Sequence, residues 1–235
     1  MKKLLYLSLV FLFVLLVGST ANANSYAFYD DFDDGDTNGW LFITGTWWVE
    51  NQELRQQQYG DGFTALVDGM NFTTQEVRAD MMFEDHGGYG GFDIWFQDFN
   101  NRVYILLYPA ANYLAAIEYD GGVRTDYYHT IADMPNPQWH NLRVYADSTT
   151  GNIDIYLDGV YEFSYTATTS LREGKTSLFN GNSPLGGHFD NFSITTLFSP
   201  ENREECMHGD WKSFNNPSFK NQGACVSYVE SNRSK

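Results

Sequence analysis

Ile153-Asp154-Ile155-Tyr156-Leu157-Asp158-Gly159, running on into Val160-Tyr161-Glu162-Phe163, decides the fold of this chain. Apolar and polar residues alternate on both sides of an Asp-Gly pair. That is the pattern of two β-strands joined by a tight hairpin, since side chains alternate across a strand and Asp-Gly accepts the positive φ such a turn needs. Tyr104-Ile105-Leu106-Leu107-Tyr108 reads the same way. Outward from these segments, from Tyr26 to Thr196, one short alternating run follows another, broken by Gly, Asn and Asp. The expectation is an all-β protein whose two antiparallel sheets pack as a sandwich.

The first residues belong to a different problem. Lys2 and Lys3 precede the apolar run Leu4 to Val17, and Ala21-Asn22-Ala23 has the small-x-small form of a signal-peptidase site. Residues 1–23 therefore read as a signal peptide cleaved after Ala23, and the protein as secreted. The run is shorter than the roughly 20 residues a membrane span requires. No later segment is apolar enough to serve, so no membrane span is expected.

Charge excludes some partners. The chain carries 30 Asp+Glu against 14 Lys+Arg, a net charge of −16, and loss of Lys2 and Lys3 makes it more acidic still. Nucleic acid and anionic membrane surfaces repel such a protein. The acidity serves solubility, or it supplies oxygen ligands to Ca²⁺, a hard cation abundant outside cells.

The texture changes near Ser199-Pro200, giving a sandwich over 24–198 and a connector with a short tail over 199–235. Cys206 and Cys225 both fall in the tail, around Trp211, Phe214 and Phe219. In an exported chain with an even cysteine count a disulfide is the expectation. Closing that loop is worth roughly 3 kcal/mol in the chain-entropy model. A zinc site is the alternative, but the two cysteines and His208 leave a tetrahedral set one ligand short.

The body resembles the concanavalin A-like lectin/glucanase superfamily, in particular its laminin G-like jelly-roll members. Asp30-Asp31-Phe32-Asp33-Asp34-Gly35 with Gly39-Trp40, Gly45-Thr46-Trp47-Trp48-Val49 and Leu54-Arg55 carry the likeness at the start. Trp139-His140-Asn141-Leu142-Arg143-Val144, Tyr156-Leu157-Asp158-Gly159 and Phe189-Asp190-Asn191-Phe192-Ser193-Ile194 carry it later. The tail resembles a C-terminal segment of many bacterial exported proteins, through Gly209-Asp210-Trp211, Phe219-Lys220-Asn221-Gln222-Gly223 and Cys225-Val226-Ser227-Tyr228-Val229. The resemblance implies a jelly roll whose concave face receives glycans, a structural Ca²⁺, and a bacterial origin.

Strand parity converts that implication into residues. On Phe92 to Gln97, Phe92, Ile94 and Phe96 share the core face, leaving Asp93, Trp95 and Gln97 on the other. Val103, Ile105 and Leu107 extend the core, leaving Tyr104, Leu106 and Tyr108 beside Trp95. Trp95, Tyr104 and Tyr108 with Asp93 and Gln97 thus form the expected glycan platform, since sugar C–H faces pack on flat rings while carboxylates and amides bind hydroxyls. Aromatic residues also pack across strands for structural reasons.

For calcium, Asp31, Asp33 and Asp36 with Gly35 imitate an EF-hand loop, but the glycine comes one place early and Phe42 stands where the bidentate Glu belongs. The resemblance instead implies Asp190 together with Asp30 or Asp31, with Asp190 on the parity of Phe192 and Ile194. Turn-capping by Asp190 is the competing reading. Catalysis is the rival to binding. Glycoside hydrolysis needs two positioned carboxyl groups, and the Glu-x-Asp-x-x-Glu string of laminarinase-type relatives is absent. Asp93 with Asp98 and Glu118 with Asp120 are the nearest acid pairs. The expected function is therefore a non-catalytic, lectin-like module, with a polysaccharide-degrading enzyme or an adhesive cell-surface protein as alternatives.

Overall fold

The computed structural model describes residues 26–60, 62–84, 87–135 and 137–196, and in the C-terminal part 200, 202–207, 210–212, 214, 217 and 219–232. The expected signal peptide and its cleavage site lie outside the described residues. So do His208 and the domain boundary near residue 198. Among the described residues no helix is long and apolar enough to cross a membrane.

The chain forms β1 (Tyr26–Asp30), β2 (Trp40–Phe42), β3 (Trp47–Glu50), β4 (Glu53–Gln58), β5 (Phe63–Val67), β6 (Gln75–Phe83) and β7 (Tyr89–Asp98). After these come β8 (Asn101–Tyr108), β9 (Tyr113–Asp120), β10 (Val123–Thr130), β11 (His140–Ala146), β12 (Asn152–Leu157), β13 (Val160–Thr166), β14 (Lys175–Gly181) and β15 (Ser183–Thr195). One sheet has eight strands in the order β13-β12-β11-β6-β15-β4-β3, with β1 also paired to β15. The other has seven, β10-β9-β8-β7-β14-β5-β2, and every pairing in both is antiparallel. This is the expected jelly-roll sandwich.

The hairpin that opens the sequence reading forms as its residues dictate. Leu157 pairs with Val160, and both turn residues have positive φ, 50° at Asp158 and 80° at Gly159, the primed geometry that matches strand twist. Alternation then builds the core. Val77, Ala79 and Met81 of β6 and Leu142 and Val144 of β11 face Phe92, Ile94, Val103, Ile105 and Leu107 of the other sheet, all fully buried.

Parity fails at one place in this core. β7 and β8 stay in register from Gly90↔Leu107 to Ile94↔Val103, then shift before Asp98↔Asn101. β7 slips against β14 in the same region, between Ser177↔Asp93 and Lys175↔Phe96. Such a bulge turns a side chain through the sheet. Trp95 sits there with φ 54°, and its indole goes into the core, where it is fully buried and Nε1 donates to the Thr73 carbonyl at 2.7 Å. Gly174 accommodates the bulge, because a Cβ there would lie 2.4 Å from the Trp95 carbonyl carbon. Phe96, expected among the core residues, packs on Phe99 at 5.5 Å instead.

The tail has its own small core. Cys206 and Cys225 form the expected disulfide, with Cα atoms 5.7 Å apart. Both are buried with Val229 against Trp211, Phe214, Phe219, Val226 and Tyr228. Cys225, Val226, Tyr228 and Val229 come from helix α1 (Gln222–Asn232), which Asn221 caps by accepting from the Ala224 N–H at 2.9 Å.

Candidate functional site

The outer face of the seven-stranded sheet carries a second apolar layer. Leu106, Ala115, Ile117 and Phe179 are buried there, with Tyr89, Tyr104, Tyr113 and Tyr119 packed around them. Alternation explains the set: with Val103, Ile105 and Leu107 of β8 and Leu114 and Ala116 of β9 turned inward, the intervening residues face outward. Leu106, Ile117, Phe179 and the rings around them enclose a cleft of about 520 Å³, whose lining also takes in Phe99, Arg102, Tyr108, Arg124 and Tyr128.

The rings form two groups. Tyr104 stacks nearly parallel on Tyr119 at 6.3 Å and meets Phe179 edge-on at 5.2 Å. Tyr108 contacts both Tyr89 and Tyr113 at 5.4 Å, and Tyr113 meets Tyr128 at 5.2 Å. Burial pushes the Tyr104 hydroxyl well above the ordinary phenol range, against the pull of Arg124 and Arg102. Burial also raises Tyr113, and Tyr128 is raised chiefly by its hydrogen bond to Asp126. These phenols stay neutral in neutral solution and both donate and accept hydrogen bonds.

Two guanidinium groups supply the charge. Arg102 Nη1 is 3.1 Å from Asp93 Oδ1, and its guanidinium lies over the rings of Tyr104, Phe99 and Tyr119 at 4.7, 5.2 and 5.4 Å. Asp93 is fully buried beneath it and accepts from the Ser177 hydroxyl at 2.6 Å. Burial pushes the Asp93 carboxyl upward, opposed by Arg102 and Ser177. At the β10 edge Arg124 Nε donates to Asp126 Oδ1 at 2.6 Å, and the Tyr128 hydroxyl donates to Asp126 Oδ2 at 2.9 Å.

Of the expected platform, Tyr104 and Tyr108 line the cleft. Trp95 does not, because the bulge sends it into the core. Asp93 lies on the right face but under Arg102, so it holds a lining side chain instead of meeting a ligand. Gln97 is exposed past the bulge and is not among the lining residues. Tyr89, Tyr113, Tyr119, Arg102 and Arg124 complete the site. Tyr113 and Tyr119 were accessible to the same alternation argument, applied one strand further on.

The carboxylates proposed for calcium are spread among other duties. Asp30 Oδ1 accepts from the Phe32 N–H at 2.8 Å and Oδ2 from the Trp40 indole at 2.7 Å. Asp31 accepts from the Tyr29 hydroxyl at 3.2 Å and the Asp33 N–H at 3.3 Å. Asp190 does not share the inward parity of Phe192 and Ile194, because a register shift between Asp190 and Ser193, with φ 51° at Asn191, breaks the alternation. It is half-buried opposite Asp80 and accepts from the Asn191 N–H at 2.6 Å. Among the described residues no group of three or more His, Cys, Asp or Glu side chains is placed to hold a metal ion. These residues do not fit the expected calcium site.

Of the acids considered for catalysis, Glu118 lies on the face of the sheet away from the cleft. Glu118 takes the opposite parity to Tyr119 and accepts from the Tyr165 hydroxyl, the Thr168 hydroxyl and the N–H groups of Thr168 and Thr169, all within 3.0 Å. Among the described residues the lining of the cleft includes no carboxylate.

No protein-family model matches the chain, and none of the curated proteins does. Solved structures do. The carbohydrate-binding module CBM66 from Bacillus subtilis superposes with a TM-score of 0.60 at 15% identity, over 67% of this chain and 96% of that one. The β-glucanase of Bacillus licheniformis gives 0.54 at 14% identity, over 72% and 97%. A Bacillus subtilis protein of unknown function with a galectin-like fold gives 0.51 at 12% identity, over 72% and 95%. These structures share the two-sheet jelly-roll fold of this chain.

Proposed function

We propose that this protein is a secreted carbohydrate-binding module that holds a polysaccharide in the tyrosine-lined cleft without cleaving it. The observation that carries this reading is the pair of ring groups around Tyr104 and Tyr108, set on a rigid sheet with neutral hydroxyls and two guanidinium groups among them. Flat rings receive the C–H faces of sugars, and the polar groups between them address hydroxyls. The fold likeness to a carbohydrate-binding module supports the same ligand class. The disulfide suits an oxidising, extracellular setting.

Likeness to a β-glucanase favours an enzyme as the second reading. Against it stands the chemistry of the lining, which offers phenols and guanidiniums where hydrolysis needs an acid pair. Retention on immobilised polysaccharides, with product analysis of the same incubations, tests both. Retention without released reducing sugar or unsaturated product supports binding. Released product, abolished by substitution in the cleft, would replace it with catalysis.

A further inference from the structure

We propose that the glycan held in this cleft is acidic, a uronate-bearing polysaccharide whose carboxylates are met by Arg102 and Arg124. The inference rests on the glycan-binding reading and sharpens it. Carboxylates outnumber basic residues by 30 to 14 in the chain, yet among the described residues the cleft is lined by two arginines and no Asp or Glu. Each arginine is paired with one carboxylate, Asp93 or Asp126, so the cleft is locally balanced in a chain that is otherwise acidic.

Register places the two cations in one line. Arg102 of β8 and Arg124 of β10 both pair with Tyr119 of the intervening β9. Their backbones are therefore two strand spacings apart, roughly 10 Å, a span that covers successive sugar rings of one chain. Tyr119 lies between them as a stacking surface. Each guanidinium is steadied by a carboxylate: Asp93, fully buried beneath it, holds Arg102, and Asp126, beside it on the same strand face, holds Arg124 through Nε. A guanidinium has five N–H donors, so one carboxylate partner leaves others to bind a second. The Arg124 side chain is 46% exposed and Arg102 13%, so Arg124 is the more open of the two to a ligand. Repulsion from the acidic remainder of the protein is screened beyond about 8 Å in physiological salt.

Pectin isolates the charge, since its methyl-esterified and de-esterified forms share one backbone. The full-length secreted protein is expected to bind the de-esterified polymer at least tenfold more tightly, and added salt is expected to weaken that binding. Arg124→Gln, a change at an exposed position, is expected to lose at least fivefold on the de-esterified polymer and to narrow its advantage over the esterified one. Equal or tighter binding of the esterified form, or equal retention of polyglutamate, would overturn the acidic assignment. Failure to bind either pectin or any neutral polysaccharide would instead overturn the glycan-binding reading beneath it.

Discussion

The buried carboxylate of Asp93 and the guanidinium of Arg102 meet at 3.1 Å across adjacent strands, and this contact joins the sandwich to its cleft. Asp93 belongs to the sheet, fixed by Ser177. Arg102 belongs to the site, spread over Tyr104, Tyr119 and Phe99. Removing one partner strands the other charge in a poorly hydrated place, which costs about 3–5 kcal/mol for buried pairs. Asp93→Ala is expected to destabilise by about that much in urea unfolding. Combining it with Arg102→Leu should recover a large part of the loss, and a simple sum of the two single effects would count against the coupling.

Trp95 separates core from cleft. Trp95→Ala removes a fully buried indole and is expected to cost about 3–5 kcal/mol of stability. Tyr104→Ala, at the cleft, should leave a cooperative fold. A Trp95→Ala protein with the parent's melting temperature would mean that the indole does not lie between the sheets.

Asp190 gives the protein a pH signature. Burial, with Asp80, Asp33 and Glu53 nearby, pushes its carboxyl above the ordinary carboxylate range. The folded state therefore favours the proton more than the unfolded state does. That stability is fully present below about pH 4 and is lost as pH rises through the folded-state value. Asp190→Asn is expected to stabilise by a few tenths of a kcal/mol at pH 7 in chelator, the scale of cross-strand charge pairs, and to gain nothing near pH 3. A variant less stable than the parent in calcium, and equal to it in chelator, would put a cation at this position after all.

The tail should melt on its own terms. Replacing Cys206 and Cys225 by Ser is expected to remove roughly 3 kcal/mol from the tail cluster and with it the helical signal of α1. The β-sheet transition should stay where it was, because every strand of both sheets precedes Pro200. A lowered β-sheet transition would tie the tail to the sandwich.

What was legible in the sequence follows the reach of each signal. Alternation is local, so the sandwich, the Asp158-Gly159 hairpin and the outward faces of Tyr104 and Tyr108 could be read from neighbours two residues away. The bulge at Trp95 could not, since it depends on Gly174 and on the Thr73 carbonyl, both distant in the chain. The inward parity expected of Asp190 fails for the same reason, because Asn191 interrupts the alternation. Arg102 and Arg124 become partners only through their shared register with Tyr119, which sequence order does not reveal. The helix of the tail was hidden because its apolar residues turn toward a disulfide-closed loop instead of a larger core.

The most direct measurement is calorimetric titration of one bound polysaccharide, or an oligosaccharide cut from it, into the parent protein, Tyr104→Ala and Tyr108→Ala at matched folded concentrations. The account predicts that each variant keeps its β-sheet circular dichroism and loses at least about 1 kcal/mol of binding free energy, the cost of removing a contacting ring. Undiminished binding by both folded variants would contradict it, and would move the ligand away from this face of the sheet.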